Sequence, residues 1–204
     1  MNFSIRFVLL AVLFVCVNQL YGQRPGAGFK RFGFIAGTDF SNMNFNKGEP
    51  APAVHNNAAW KPGITLGFFA RIPLARNFYL QPEYAYTQRK SADKSIATDY
   101  SLNYLSMPVL LNYKITPAMA VLAGPQVELL VNAKADNNGA GTNITHDTEE
   151  RSIGVTAGVE AEIKKILIVS ARYLQGLNHV GIGQRSNVKE FEYQALTITV
   201  AVRF

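Results

Sequence analysis

Residues 152–163 read SIGVTAGVEAEI. Ile153, Val155, Ala157, Val159, Ala161 and Ile163 are apolar, whereas Ser152, Gly154, Thr156, Gly158, Glu160 and Glu162 are small or polar. A period of two held over this length is the signature of a β-strand with one apolar and one polar face. Residues 119–131 repeat it, with Met119, Val121, Ala123, Pro125, Val127, Leu129 and Val131 on one side and Gly124, Gln126 and Glu128 on the other. Six further segments follow the same rule, at 30–40, 60–72, 78–88, 102–113, 167–177 and 191–204. In 102–113 the apolar set changes phase near Tyr104 and Leu105, which reads as a bulge. These strands are longer than the usual five or six residues and suit a tilted bilayer crossing of about nine to eleven.

The connections carry a second pattern. They are tight at 73–77, 114–117 and 164–166, and long and polar at 41–59, 89–101, 132–151 and 178–190. Alternation of short turns with long loops predicts an all-β chain: an eight-stranded, antiparallel, up-and-down transmembrane β-barrel, with the short turns in the periplasm. Its location is then the outer membrane of a Gram-negative bacterium. A soluble lipocalin-like barrel shows similar alternation but lines its cavity with the apolar face. Here the polar face is rich in glycine, at Gly33, Gly37, Gly63, Gly67, Gly124, Gly154 and Gly158, mixed with Arg31, Asp39, Glu83, Glu128, Glu160 and Arg172. Glycine weakens a strand, so this composition suits a crowded lumen better than a wet surface. The lipocalin G-x-W signature is missing, because Ala58 stands two before Trp60. Trp60, Tyr84, Tyr86 and Tyr193 near the loop ends, with Phe78, Tyr113 and Phe204 near the turn ends, read as two aromatic girdles. Phe204 closes an apolar alternation of Leu196, Ile198, Val200 and Val202 and resembles the signal read by the barrel-assembly machinery.

The first residues read as an export signal. Arg6 precedes an apolar run from Phe7 to Val17 that is too short to span a bilayer, and Gly22 offers a small residue for cleavage. Residues 1–22 are therefore expected to be a signal peptide and 23–204 one barrel domain. Cys16 raises lipidation, but Phe14 and Val15 are too bulky for that site. Cleavage leaves no cysteine, so neither disulfides nor thiolate chemistry are expected. The net charge is +6, with no run of like charges, which argues against nucleic acid. The turn side collects Arg24, Lys30, Arg31, Arg71, Arg76, Lys114, Lys164, Lys165 and Arg203. Of these, Arg76, Lys114, Lys164 and Lys165 are expected to form a basic periplasmic rim facing anionic lipid or an acidic envelope partner.

Five stretches resemble the PorT-like family of outer-membrane β-barrel domains. They are GFIAGTDFSNM (33–43), FYLQPEYAYTQRK (78–90), YLSMPVLLNY (104–113), the G-P segment at 123–130 and ARYLQGL (171–177). The resemblance covers most of residues 29–204. It implies the barrel fold and outer-membrane location, and a secretion or envelope assembly as one setting. Ser106 departs from the pattern, standing where the family often has an acidic residue.

No strong catalytic motif is present: neither G-x-S-x-G, nor a phosphate-binding loop, nor H-E-x-x-H. His179 with Ser101 or Ser186 is the one enzyme-like combination, suggesting lipid modification at the rim. His55, His146 and His179 with Asp147, Glu149 and Glu150 have donor types that suit zinc, but their spacing fixes no geometry. Residues 136–141 lack a calcium-loop ligand at Ala140. Inside an eight-stranded barrel there is room only for side chains, and a buried charge needs a partner. Arg71, Glu83, Glu128, Glu160 and Arg172 are therefore expected to form a closed lumen network, with Arg172 diagonal to Glu160; a proton or ion path is the alternative. The expected role is a non-enzymatic anchor or interaction scaffold without cofactor. Its partners would be outer-membrane lipid, the assembly machinery and an envelope protein.

Overall fold

The computed structural model describes residues 31–47, 58–94, 97–137, 139–163, 166–182 and 189–204. The expected signal peptide, His55, Lys164, Lys165 and Ser186 lie outside the described residues.

Eight long strands follow one another: β1 (Phe32–Asn44), β2 (Ala58–Ala70), β3 (Phe78–Asp93), β4 (Thr98–Lys114), β5 (Met119–Asn137), β6 (Arg151–Ile163), β7 (Leu167–Gly176) and β8 (Lys189–Arg203). Each pairs antiparallel with its neighbours in sequence, and β8 returns to β1 from Gly33↔Arg203 to Asn44↔Glu192. The seam closes the sheet and leaves no open edge in the crossing region, which is the condition for a β-structure in hydrocarbon. Short strands Ile72–Pro73, Ala140–Asn143 and Val180–Ile182 attach to β3, β5 and β8. Among the described residues, no helix is long and apolar enough to cross a membrane.

Burial is inverted relative to a water-soluble domain. Phe34 is 64% exposed, whereas Arg71 and Glu128 are each 1% exposed. Charged side chains are almost never fully buried unless paired, so the inside is a polar core and the outside an apolar band. That band runs from Phe78 to Tyr86 on β3, from Leu105 to Tyr113 on β4 and from Leu196 to Phe204 on β8. Such a length fits the hydrocarbon thickness.

The strands overshoot this band at the loop end. Residues 89–101, expected as a loop, are largely a continuation of the β3–β4 hairpin, with Lys90↔Ser101 and Asp93↔Thr98 still paired. The reason is a change of medium. Below Tyr86 the apolar side chains face lipid, whereas above it they face inward, where Tyr100, Leu102 and Tyr104 are buried. This also corrects the reading of β4. Its inward face never changes phase, and the bulge is on β5, where Asn103↔Asn132 is followed by Tyr104↔Leu130 and Val131 is left over.

These inward apolar residues build a compact lid. Met43, Phe45, Leu102, Tyr104, Ala133, Val180, Phe191 and Tyr193 are all nearly or fully buried in one cluster. The Phe191 and Tyr193 rings lie 4.8 Å apart, Phe45 and Phe191 5.2 Å, and Tyr104 and Tyr193 5.6 Å. Tyr193 thus belongs to the interior plug and not to the outer girdle expected from sequence. Trp60, Tyr84 and Tyr86 are exposed near the loop end. Phe78 meets Tyr113 at 4.8 Å, and Phe204 meets Phe34 at 5.4 Å, near the turn end. The two long loops after β5 and β7 are tied together over the plug, through Glu149 N–H to the Gly181 carbonyl (2.8 Å) and a Thr148↔Ile182 bridge.

Candidate functional site

The barrel's third strand supplies more of the interior polar set than any other strand. Tyr79, Gln81, Glu83, Thr87, Arg89, Ser91 and Asp93 occupy its inward positions in turn. Three ion-pair levels result.

Nearest the turn end, Arg71 donates from Nη2 to both Glu160 oxygens at 2.7 and 2.8 Å, and from Nε to Gln81 Oε1 at 2.7 Å. Tyr79 Oη and Asn112 Nδ2 also donate to Glu160, and the guanidinium stacks 4.6 Å from the Tyr79 ring centroid. At the next level Arg172 Nη1 reaches Glu83 Oε2 at 2.6 Å, while Gln81 Nε2 holds the other Glu83 oxygen. At the third, Arg89 is shared between two carboxylates. Nη1 contacts both Asp39 oxygens at 2.9 Å, Nη2 contacts Glu128 Oε1 at 2.6 Å and Nε contacts Glu128 Oε2 at 3.2 Å. Thr197 completes Asp39, and Ser106 with Gln126 completes Glu128.

All five expected lumen residues are inside and paired, but one pairing differs from the expectation. Register places Arg172 opposite Gly158, diagonal to Glu160, yet Arg172 bridges to Glu83. Glu160 is taken by Arg71 instead. In a narrow eight-stranded barrel a long side chain spans the lumen, so β7 reaches β3, and Arg71, just past the end of β2, reaches β6 across the interior. Ser106 explains its own departure from the PorT-like pattern, since its hydroxyl donates to Glu128 at 2.6 Å. An acid there would add a carboxylate beside Glu128.

Sequence reasoning missed Arg89, which is 1% exposed. The available signal was its parity, because Arg89 continues the inward series of Glu83 and Thr87. Ending the strand at Gln88 concealed it.

Between the second and third levels lies a cavity of about 40 Å³ bordered by Glu83, Arg89, Arg172, Thr65 and Thr156. That volume accommodates a few waters at most. Above it the aromatic plug begins, with Arg89 5.7 Å from the Tyr193 ring centroid.

Of the expected basic rim, Arg76 and Lys114 are among the described residues. Arg76 is exposed in its turn. Lys114 leans inward, 3.9 Å from Glu162 and 5.8 Å from the Tyr79 ring centroid, and Arg203 pairs with Glu162 at 2.6 Å. Arg31 is exposed and does not line the lumen. The Phe204 N–H closes the seam by donating to the Phe32 carbonyl at 2.8 Å.

Of the enzyme-like set, His179 and Ser101 are described, whereas Ser186 lies outside the described residues. His179 lies 3.9 Å from Glu190 and 3.7 Å from Glu192. Ser101 sits on the outer face of β4, across the barrel from β8. Among the described residues, no three His, Asp or Glu side chains are grouped to hold a metal ion.

The pairing sets a mutational expectation. Arg172→Met should leave Glu83 buried and unpaired, lowering stability by about 3 kcal/mol. Adding Glu83→Gln should restore much of it, and adding Glu160→Gln should not. Thermal loss of the compact gel form, followed for the three variants, checks this directly.

Comparison with known proteins agrees with this architecture. The structure superposes on Neisserial surface protein A with a TM-score of 0.54, at 16% identity over 85% of this chain and 97% of that one. The attachment invasion locus protein Ail of Yersinia pestis gives 0.49 at 15% identity, over 86% and 100% of the two chains. OprG of Pseudomonas aeruginosa gives 0.42 at 13% identity, over 87% and 98%. Among curated proteins no sequence matches. At such identities only the first likeness carries weight, and it speaks for the fold alone. The sequence profile of the outer membrane protein beta-barrel domain matches residues 23–181, well over half of the chain. With its closed seam, apolar outer band and polar lumen, this chain belongs to the outer membrane protein beta-barrel domain family.

Proposed function

We propose that the protein is a non-enzymatic outer-membrane anchor whose folded outer lid contacts other molecules. The carrying observation is the interior itself: three ion-pair levels capped by a buried aromatic cluster. Such a filling serves stability and the support of a surface, rather than passage. The lid extends this support, because the described loop segments carrying Ile144, Val180 and Ile182 pack on a core of Phe45, Tyr100 and Phe191. Export through cleavage after residue 22, periplasmic turns with Arg76 and Lys114 at the rim, and insertion by the assembly machinery belong to the same reading.

The PorT-like resemblance supports a second, narrower reading as a subunit of a secretion or envelope assembly. The two differ in where a partner touches. A photo-crosslinking residue at Gly141, exposed on the short outer strand, should capture an envelope partner in intact cells, and one at Arg76 should not. Capture only through Arg76 would favour an assembly held from the periplasm and would sink the outer-lid reading. If His179→Ala abolished modification of a membrane lipid, the protein would be an enzyme instead.

A further inference from the structure

The register lines up three lysines on one outer wall. Lys61 stands opposite Lys90, Lys90 opposite Ser101, and Ser101 opposite Lys134. Arg89, Ser91 and Ala133 are buried inside, so Lys90 and Lys134 point outward. Lys90 and Lys134 lie a few residues past the apolar bands of their strands, which end at Tyr86 on β3 and at Val131 on β5. Arg151, exposed, stands likewise two positions beyond Ile153 on β6. Three or four residues at about 3.3 Å on a strand tilted by about 40° raise Lys90 and Lys134 roughly 8–10 Å above the band, just beyond a headgroup layer of about 6 Å into which a lysine stem can reach back.

Like charges directly opposite one another on paired strands repel, and little nearby offsets them. Asp99 holds Lys61 at 2.5 Å, and Asp136 accepts the Gly139 N–H at 2.8 Å. Among the described residues, no carboxylate pairs with Lys90, Lys134 or Arg151. The opposite wall has the reverse character. Past the apolar band, β8 presents Gln194, Glu192 and Glu190, β7 presents Gln175 and β1 presents Asn42.

We propose that the wall from β2 to β6 holds the phosphate groups of outer-leaflet glycolipid. Lys90 and Lys134 are the principal ligands, and Ser101 is the hydroxyl donor between them. The site rests on the outer-membrane reading of the barrel. Lysine suits it as a mobile point charge for phosphate, and the one-sided charge orients the barrel among anionic lipids.

The test titrates the refolded full chain in neutral detergent micelles with diphosphorylated lipid A, and bound lipid is counted by native mass spectrometry. Lys90→Gln with Lys134→Gln should weaken retention by at least about tenfold. Lys94→Gln, at the exposed hairpin tip, should not, and the double arginine variant should retain the lipid. Raised salt should lower wild-type retention, and lipid A stripped of phosphate should bind poorly. Equal retention by wild type and the double glutamine variant, or equal retention of phosphate-free lipid, overturns the site while the barrel stands. A refolded chain that shows no heat-modifiable form would defeat the membrane reading itself.

Discussion

Arg89→Met should remove most of the folded barrel, the largest loss expected from any single interior change. Among the described residues, Arg89 is the only cation contacting Asp39 and Glu128, which are 0% and 1% exposed. Removing one partner of a buried pair typically costs about 3–5 kcal/mol. Here two carboxylates lose their cation at once, so the effect should reach the upper end of that range or pass it. Total stabilities of roughly 5–15 kcal/mol leave little reserve. Adding Asp39→Asn and Glu128→Gln should recover folding in part, because Thr197, Ser106 and Gln126 remain in place for the amides. Heat-modifiability and outer-membrane yield of the single and triple variants provide the readout. A single variant that folds like wild type would show that Arg89 does not hold this level together.

The second large effect is expected at the closing seam. A Cβ on Gly37 would overlap the Ile198 carbonyl oxygen and lie 2.8 Å from Thr199 Cα, so the obstruction is backbone that cannot rotate away. Gly37→Val should therefore prevent β1 from meeting β8, at a cost above the roughly 1–3 kcal/mol of ordinary overpacking. Ala36→Val is the control. Ala36 is its exposed neighbour, paired with Val200 on the lipid side, where added volume meets only acyl chains. Similar yields of folded protein from both variants would mean that the strands do not approach as closely as the structure places them.

Much of this fold was legible because a membrane barrel writes its two environments into alternate residues. The stretch from Ile153 to Ile163 faces lipid and lumen in strict turn, and all eight strands were found from such parity. The pattern fails where the medium changes. On β4, Leu105 to Tyr113 face lipid, but Tyr100, Leu102 and Tyr104 face inward into the lid. Hydrophobicity alone therefore suggested a phase shift that the backbone does not make. The same inversion ended β3 too early and hid Arg89, and it placed Tyr193 in the girdle instead of the plug. The charged lumen residues were legible as a set, since buried charges require partners. Their pairing was not, because it depends on which side chains meet across the interior, as Arg172 does with Glu83.

Paired charges fill the lumen, and Tyr104, Phe191 and Tyr193 shut it. Single-channel recording of the refolded full chain in planar bilayers tests this most directly. A quiet membrane, without steady unit currents, is expected under conditions where insertion is verified by heat-modifiability. Large, steady conductance from the wild-type protein would contradict this closure, because a cavity of about 40 Å³ between ion-pair levels cannot carry a continuous water column.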